Sequence, residues 1–179
     1  MKTKLPLYLA LLLLTQCSKC KTDDPAPVAP NPVDALPPAT QTGQRTFGCL
    51  LNGQPWNLAG NPFGGPLLTS EYYNGRLIIV ARGATSVNGV VKGGIIEIDI
   101  DDIVSAGNYT ISVNDSTFVN YQSFTPNCQY YTGPLHPAVV EITRLDLVNR
   151  IVAGRFSFAL DASGCGRVVV TEGRFDSRF

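Results

Sequence analysis

One histidine (His136), one tryptophan (Trp56) and one methionine (the initiator) are all that the 179-residue chain holds of those types. With a single imidazole, acid–base chemistry would have to lean on carboxylates or thiols. Charge gives no direction either, since 14 basic and 14 acidic residues cancel. The arginines are scattered, so the basic patch with interleaved aromatics that reads nucleic acid is missing. No apolar run reaches the roughly 20 residues of a membrane-spanning helix. No segment carries a capped helical stripe, and no motif asks for a cofactor or a metal ion. What is abundant is glycine, 17 residues, and β-branched residues in the periodic segments, an all-β composition.

The start of the chain is an address. Met1-Lys2-Thr3-Lys4 is basic, Leu5 to Leu14 is apolar apart from Pro6, and Cys17 follows Leu14-Thr15-Gln16. Residues 1–16 read as a lipoprotein signal peptide cleaved before Cys17, which would carry the lipid; Gln16 stands where a small residue is usual. The expected partner at this end is the membrane, through the acyl anchor. Residues 17–44 hold Pro25, Pro27, Pro30, Pro32, Pro37 and Pro38 and few large apolar groups. Such a stretch cannot bury enough surface to offset its ordering entropy, so it reads as a disordered, extended stalk. Residues 45–179 then form one antiparallel β domain.

Turn chemistry divides that domain. Asn52-Gly53, Asn74-Gly75 and Asn88-Gly89 supply the positive φ angles of tight hairpins, with Pro55 marking a short or edge strand after the first. Ile96, Ile98 and Ile100 alternate with Glu97, Asp99 and Asp101, a strand with one buried and one solvated face. Residues 107–113 and 117–124 suggest a hairpin across Asn114-Asp115. Residues 139–147, 151–160 and 167–175 read as a closing meander. About eight to ten short strands imply a β-sandwich or a small β-barrel.

Three cysteines fall in the domain, an odd number for an oxidising compartment. Cys49 shares strand parity with Phe47 and Leu51 and reads as an inward-facing small hydrophobe. That leaves Cys128 and Cys165 as the expected disulfide, with no Cys-x-x-Cys in the domain to suggest a redox or metal role.

Several constellations hold residue types that could carry chemistry. His136 could serve a Cys49 or Cys165 nucleophile with Asp146 or Asp161 as orienter, but no motif frames either thiol. A serine hydrolase lacks its Gly-x-Ser-x-Gly. The acidic ladder Glu97, Asp99, Asp101 and Asp102 lacks calcium-loop spacing and reads as a solvated face. Tyr72, Tyr73, Tyr130 and Tyr131 flank turns and are the candidates for a stacking platform under sugar rings. The repeat of Gly154-Arg155-Phe156 in Gly173-Arg174-Phe175 reads as similar strand geometry rather than an internal repeat.

Three ordered stretches carry a resemblance: Thr46 to Trp56; Ile142-Thr143-Arg144-Leu145-Asp146 continuing through Asn149 to Phe156; and Thr171 to Asp176. Together they resemble a family of small Bacteroidota lipoproteins known only as a domain of unknown function. The resemblance covers about 45–179, and it implies the same Cys128–Cys165 pairing and no catalytic residue or cofactor. It also implies outer-membrane, surface-exposed display, since Ser18-Lys19-Cys20-Lys21-Thr22-Asp23-Asp24 is similar to a surface-export signal in that phylum. Asp115-Ser116-Thr117 resembles its O-glycosylation site. The expected function is a non-catalytic binding or interaction module, taking a glycan or a surface protein and no nucleic acid. A barrel carrier for a small apolar ligand is the alternative, and a hydrolase the last resort.

Overall fold

The computed structural model describes residues 31–60, 64–112 and 116–179. The signal peptide, Cys17, the linker through Pro30 and Asn114-Asp115 lie outside the described residues. The body, Asn31–Phe179, is built from β1 (Thr46–Leu51), β2 (Gln54–Asn57), β3 (Leu68–Tyr73), β4 (Arg76–Val87), β5 (Val90–Ile100), β6 (Gly107–Ile111), β7 (Phe118–Phe124), β8 (Asn127–Tyr131), β9 (Ala138–Asp146), β10 (Ile151–Ala162) and β11 (Gly166–Arg178). They form two antiparallel sheets packed as a sandwich, ordered β2-β1-β11-β10-β9-β6 and β3-β4-β5-β7-β8.

The expected hairpins form. Asn52, Asn74 and Asn88 take φ of 49°, 50° and 52°, each followed by a glycine also at positive φ, the geometry that matches strand twist. Pro55 lies in β2, at the edge of the six-stranded sheet, where its missing donor leaves no ladder bond unmade. Strands β9, β10 and β11 are the meander.

Two expectations fail. Strands β6 and β7 are not a hairpin: β6 pairs with β9 in one sheet, and β7 pairs with β5 and β8 in the other. Alternation locates strands but does not name their partners. Strand β8 went unread because its five residues lie between turn-rich segments, although Cys128 and Tyr130 point inward in alternation.

The core lies between the sheets. Leu77, Ile79, Ile96, Ile98 and Val119 from one face Phe47, Val140, Ile142, Phe156 and Leu160 from the other. The space a barrel carrier would keep as a lumen is filled by these side chains, so the alternative of a closed barrel is set aside. Cys128 and Cys165 form the disulfide, their Cα atoms 6.1 Å apart. It ties β8 of one sheet to the β10–β11 turn of the other. Cys49 is free and fully buried, as its parity implied.

The glycine-arginine-phenylalanine echo has a structural cause. Across the β10–β11 ladder Gly154 pairs with Phe175, Arg155 with Arg174, and Phe156 with Gly173. Each glycine makes room for the other triplet's ring. A Cβ on Gly173 would sit 2.7 Å from Phe156 Cγ, and one on Gly154 would sit 2.5 Å from Phe175 Cζ. The two triplets are one reciprocal fit.

The folded body also starts earlier than position 45. Residues 31–44 lie as a strap on the outer face of the six-stranded sheet, beginning with a 3-10 helix at Pro32–Ala35. Asp176, only 1 % exposed, accepts hydrogen bonds from Thr40 Oγ1 (2.6 Å) and from the backbone amides of Thr42 (2.9 Å), Gly43 (2.6 Å) and Gln44 (3.2 Å). Arg144 donates to the Gln41 carbonyl at 2.6 Å, Asn57 donates to the Ala35 carbonyl at 2.9 Å, and Leu36 is buried. Composition predicted disorder here because a polar, proline-rich segment lacks apolar surface. What orders it is one buried carboxylate collecting its donors.

Candidate functional site

The four tyrosines do not share a surface. Neighbours along a strand point to opposite sides, so Tyr72 and Tyr130 turn inward while Tyr73 and Tyr131 are 76 % and 50 % exposed. Tyr72 packs on Phe179 and donates to the Ile103 carbonyl at 2.7 Å. Tyr130 stacks on Tyr121 and donates to the Cys165 carbonyl at 3.1 Å. These are structural roles. The exposed pair stands on the two opposite edge strands, β3 and β8, four strand spacings or roughly 19 Å apart. No continuous platform joins them.

The other expected constellations are engaged as well. His136 Nε2 lies 3.2 Å from Asp161, which also meets Arg167 at 3.5 Å. The thiols that a Cys–His dyad needs are out of reach of that chemistry. Cys165 is in the disulfide, and burial pushes the Cys49 thiol up to about 12, so it stays protonated. On the acidic ladder Asp99 takes two hydrogen bonds from Arg76, at 2.8 and 2.6 Å, and Glu97 takes one from Asn120 at 3.0 Å. Asp146 is held well below the usual carboxylate range by the Asn149 side chain and amide, and then by Arg144. Among the described residues no group of three His, Cys, Asp or Glu side chains is placed to hold a metal ion.

A groove lies on the outer face of the six-stranded sheet, beside the strap, with a volume of about 510 Å³. Small-ligand sites run from about 300 to 1,000 Å³. Its floor is a cross-strand row given by the register: Asn108 opposite Glu141, Glu141 opposite Arg155, and Arg155 opposite Arg174. Ser157 and Glu172 extend the floor, and Val33 and Ala39 of the strap form a wall. The strap is fixed next to this row. Pro37 lies over Gly48, where a Cβ would come within 2.6 Å of Pro37 Cδ, and Gly48 is the β1 partner of Arg174.

The two arginines of the row are engaged differently. Arg174 pairs with Glu172 at 3.3 Å and also donates to its carbonyl at 3.2 Å. Arg155 has no hydrogen bond or ion pair among the described residues, although Glu141 and Arg174 stand directly beside it on the neighbouring strands. Arg155 thus stands between a like charge on β11 and an unlike one on β9, whose cross-strand effects oppose each other. The backbone here is special too. Glu172 sits at φ 54°, in a bulge where β11 shifts register against both β1 and β10. Thr171 and Glu172 are therefore both exposed in succession. Bulges of this kind re-aim a side chain, and a non-glycine at positive φ stores strain.

Sequence reasoning missed all of these groove residues, treating the arginines as scattered. The signal that could have found them is the triplet echo, because two Gly-Arg-Phe runs in adjacent antiparallel strands bring their arginines together when each glycine faces the other run's phenylalanine. The chain matches no family model, no curated protein and no solved structure.

Proposed function

We propose that this protein is an envelope lipoprotein, anchored through Cys17 at the outer membrane and displayed at the surface, that acts as a non-catalytic binding module. Its ligand site is the groove beside the strap, and its ligand class is a glycan. The observation that carries the reading is the groove itself: a concave, polar floor drawn from four strands and walled by Val33 and Ala39. Asn108, Ser157 and the carboxylates of Glu141 and Glu172 suit sugar hydroxyls, while Val33, Ala39 and Val139 offer apolar contact to C–H faces. The packed interior argues against a carrier of apolar ligands. In this reading the strap belongs to the domain, and residues 17–30 are the tether.

The test is a glycan screen on the full chain, read as a rise in unfolding temperature, beside a variant in which Ser157→Trp fills the groove. A ligand that binds only the folded state raises that temperature by mass action. The reading expects hits that Ser157→Trp abolishes. Hits that survive the substitution would move the site elsewhere.

A further inference from the structure

We infer that the groove selects a saccharide carrying a carboxylate, and that Arg155 is the residue that recognises it. The inference rests on the groove reading above and names its ligand more narrowly.

Three observations lead there. The first is position: the reciprocal fit of Gly154 with Phe175 and Gly173 with Phe156 fixes the register that sets Arg155 opposite Arg174 on the outward face. That places Arg155 between Arg174 on β11 and Glu141 on β9, with its guanidinium on the outward face of the sheet. The second is vacancy of partners: Glu172 engages Arg174, while Arg155 keeps its five donors open to the groove among the described residues. A planar guanidinium matches the two oxygens of a carboxylate in a fork, which favours carboxylate over a single hydroxyl. The third is what surrounds it. Glu141 and Glu172 only accept hydrogen bonds, so a ligand that brings an anion to Arg155 must also offer neutral donors to them. A uronate ring does both, with its carboxylate for Arg155 and its hydroxyls for the two glutamates.

A peptide is the competing occupant, and the site is poorly made for one. The groove crosses β6, β9, β10 and β11 on the face of the sheet, where backbone groups are already paired in the ladders. The free edge of this sheet on the groove's side is the outer side of β6, and a peptide seated in the groove would lie across the sheet face rather than along that edge, gaining no strand pairing.

The experiment titrates the full chain with short oligogalacturonates, the same chains with their carboxyls reduced to neutral hexose, a sulfated galactan and oligoglutamate, by calorimetry. The native protein is compared with Arg155→Gln, Arg155→Lys and Ser157→Trp, each checked for an unchanged unfolding transition. Expected are binding of the uronate, binding at least about tenfold weaker for the neutral chain, and a loss of about ten- to hundredfold in Arg155→Gln. Arg155→Lys should recover only part of it, since an ammonium keeps the charge without the fork. Neutral chains that bind as well as uronate, blocked by Ser157→Trp but indifferent to Arg155, would overturn this inference and leave the groove reading standing. Uronate binding that survives Ser157→Trp would overturn the groove reading itself. Equal or tighter binding of the sulfated chain would overturn the carboxylate preference, and equal binding of oligoglutamate the saccharide class. Silence from all four probes would overturn the inference.

Discussion

Arg155 and Arg174 stand directly opposite each other across the β10–β11 ladder, locked in that register by the glycine and phenylalanine on either side of each. Each has a glutamate beside it, Glu141 opposite Arg155 on β9 and Glu172 paired with Arg174. The arrangement makes a first prediction: Arg155→Gln leaves the fold intact and shifts stability by no more than about 0.5 kcal/mol, because the repulsion from Arg174 and the attraction to Glu141, on its two sides, are lost together at an exposed position. Urea unfolding of the two proteins checks it, and a clear loss of stability would mean that Arg155 is a structural residue.

The strap gives a second prediction. Burial raises the Asp176 carboxyl, but the Thr40 hydroxyl and the Thr42, Gly43 and Gln44 amides outweigh it and hold the group below its ordinary value. A lowered folded value means that the stabilisation is fully present above the unfolded carboxylate range, near 3.9, and fades as pH falls through the folded value. Asp176→Asn should cost about 1–3 kcal/mol and expose residues 40–44 to amide exchange and protease. It should also weaken any groove ligand, since the strap supplies Val33 and Ala39.

Gly173→Ala is the third. Its Cβ would meet the Phe156 carbonyl oxygen, and Phe156 Cγ and Cδ1 at 2.7 and 2.8 Å, so backbone as well as ring would have to shift. Overpacking of this kind costs roughly 1–3 kcal/mol, visible as a lower urea midpoint at unchanged slope. Gly164→Ala, with nothing within 4 Å of its Cβ but φ at 74°, separates backbone strain from packing.

A fourth concerns the cysteines. The Cys128–Cys165 bridge spans 37 residues, and the chain-entropy relation puts its contribution at about 4 kcal/mol. Replacing both with alanine should lower stability by about 2–4 kcal/mol. Cys49 should resist alkylation in the folded protein and react on denaturation, because burial takes its thiol from 9.0 to about 12. A raised folded value means full stability below the unfolded value and a decline as pH climbs through that interval. Thiol titration with and without denaturant checks the first part, and alkaline unfolding the second.

Much of the sandwich was legible in the sequence because its signals are local. Asn-Gly turns fix their own dihedrals, and the Ile96-Ile98-Ile100 alternation names its own buried face. Strand partnership is not local, so the turn residues between β6 and β7 suggest a hairpin although the two strands belong to different sheets. The strap was missed for a different reason. Its order comes from Asp176, more than 130 positions away, and no composition rule sees a distant carboxylate. The tyrosines drew attention as residue types suited to sugars, yet strand parity alone forbids Tyr72 and Tyr73, or Tyr130 and Tyr131, from sharing a face. The groove was hidden because its parts are ordinary surface residues in four strands, made into a row only by register.

The most direct test of the account follows the arginine side-chain NMR signals of the full chain while oligogalacturonate is added. The account predicts that the Arg155 Nε–H signal, assigned by its loss in Arg155→Gln, shifts first and saturates with the calorimetric affinity, with Arg174 following. Shifts confined to Arg76, Arg82 or Arg167, with Arg155 unmoved, would contradict it.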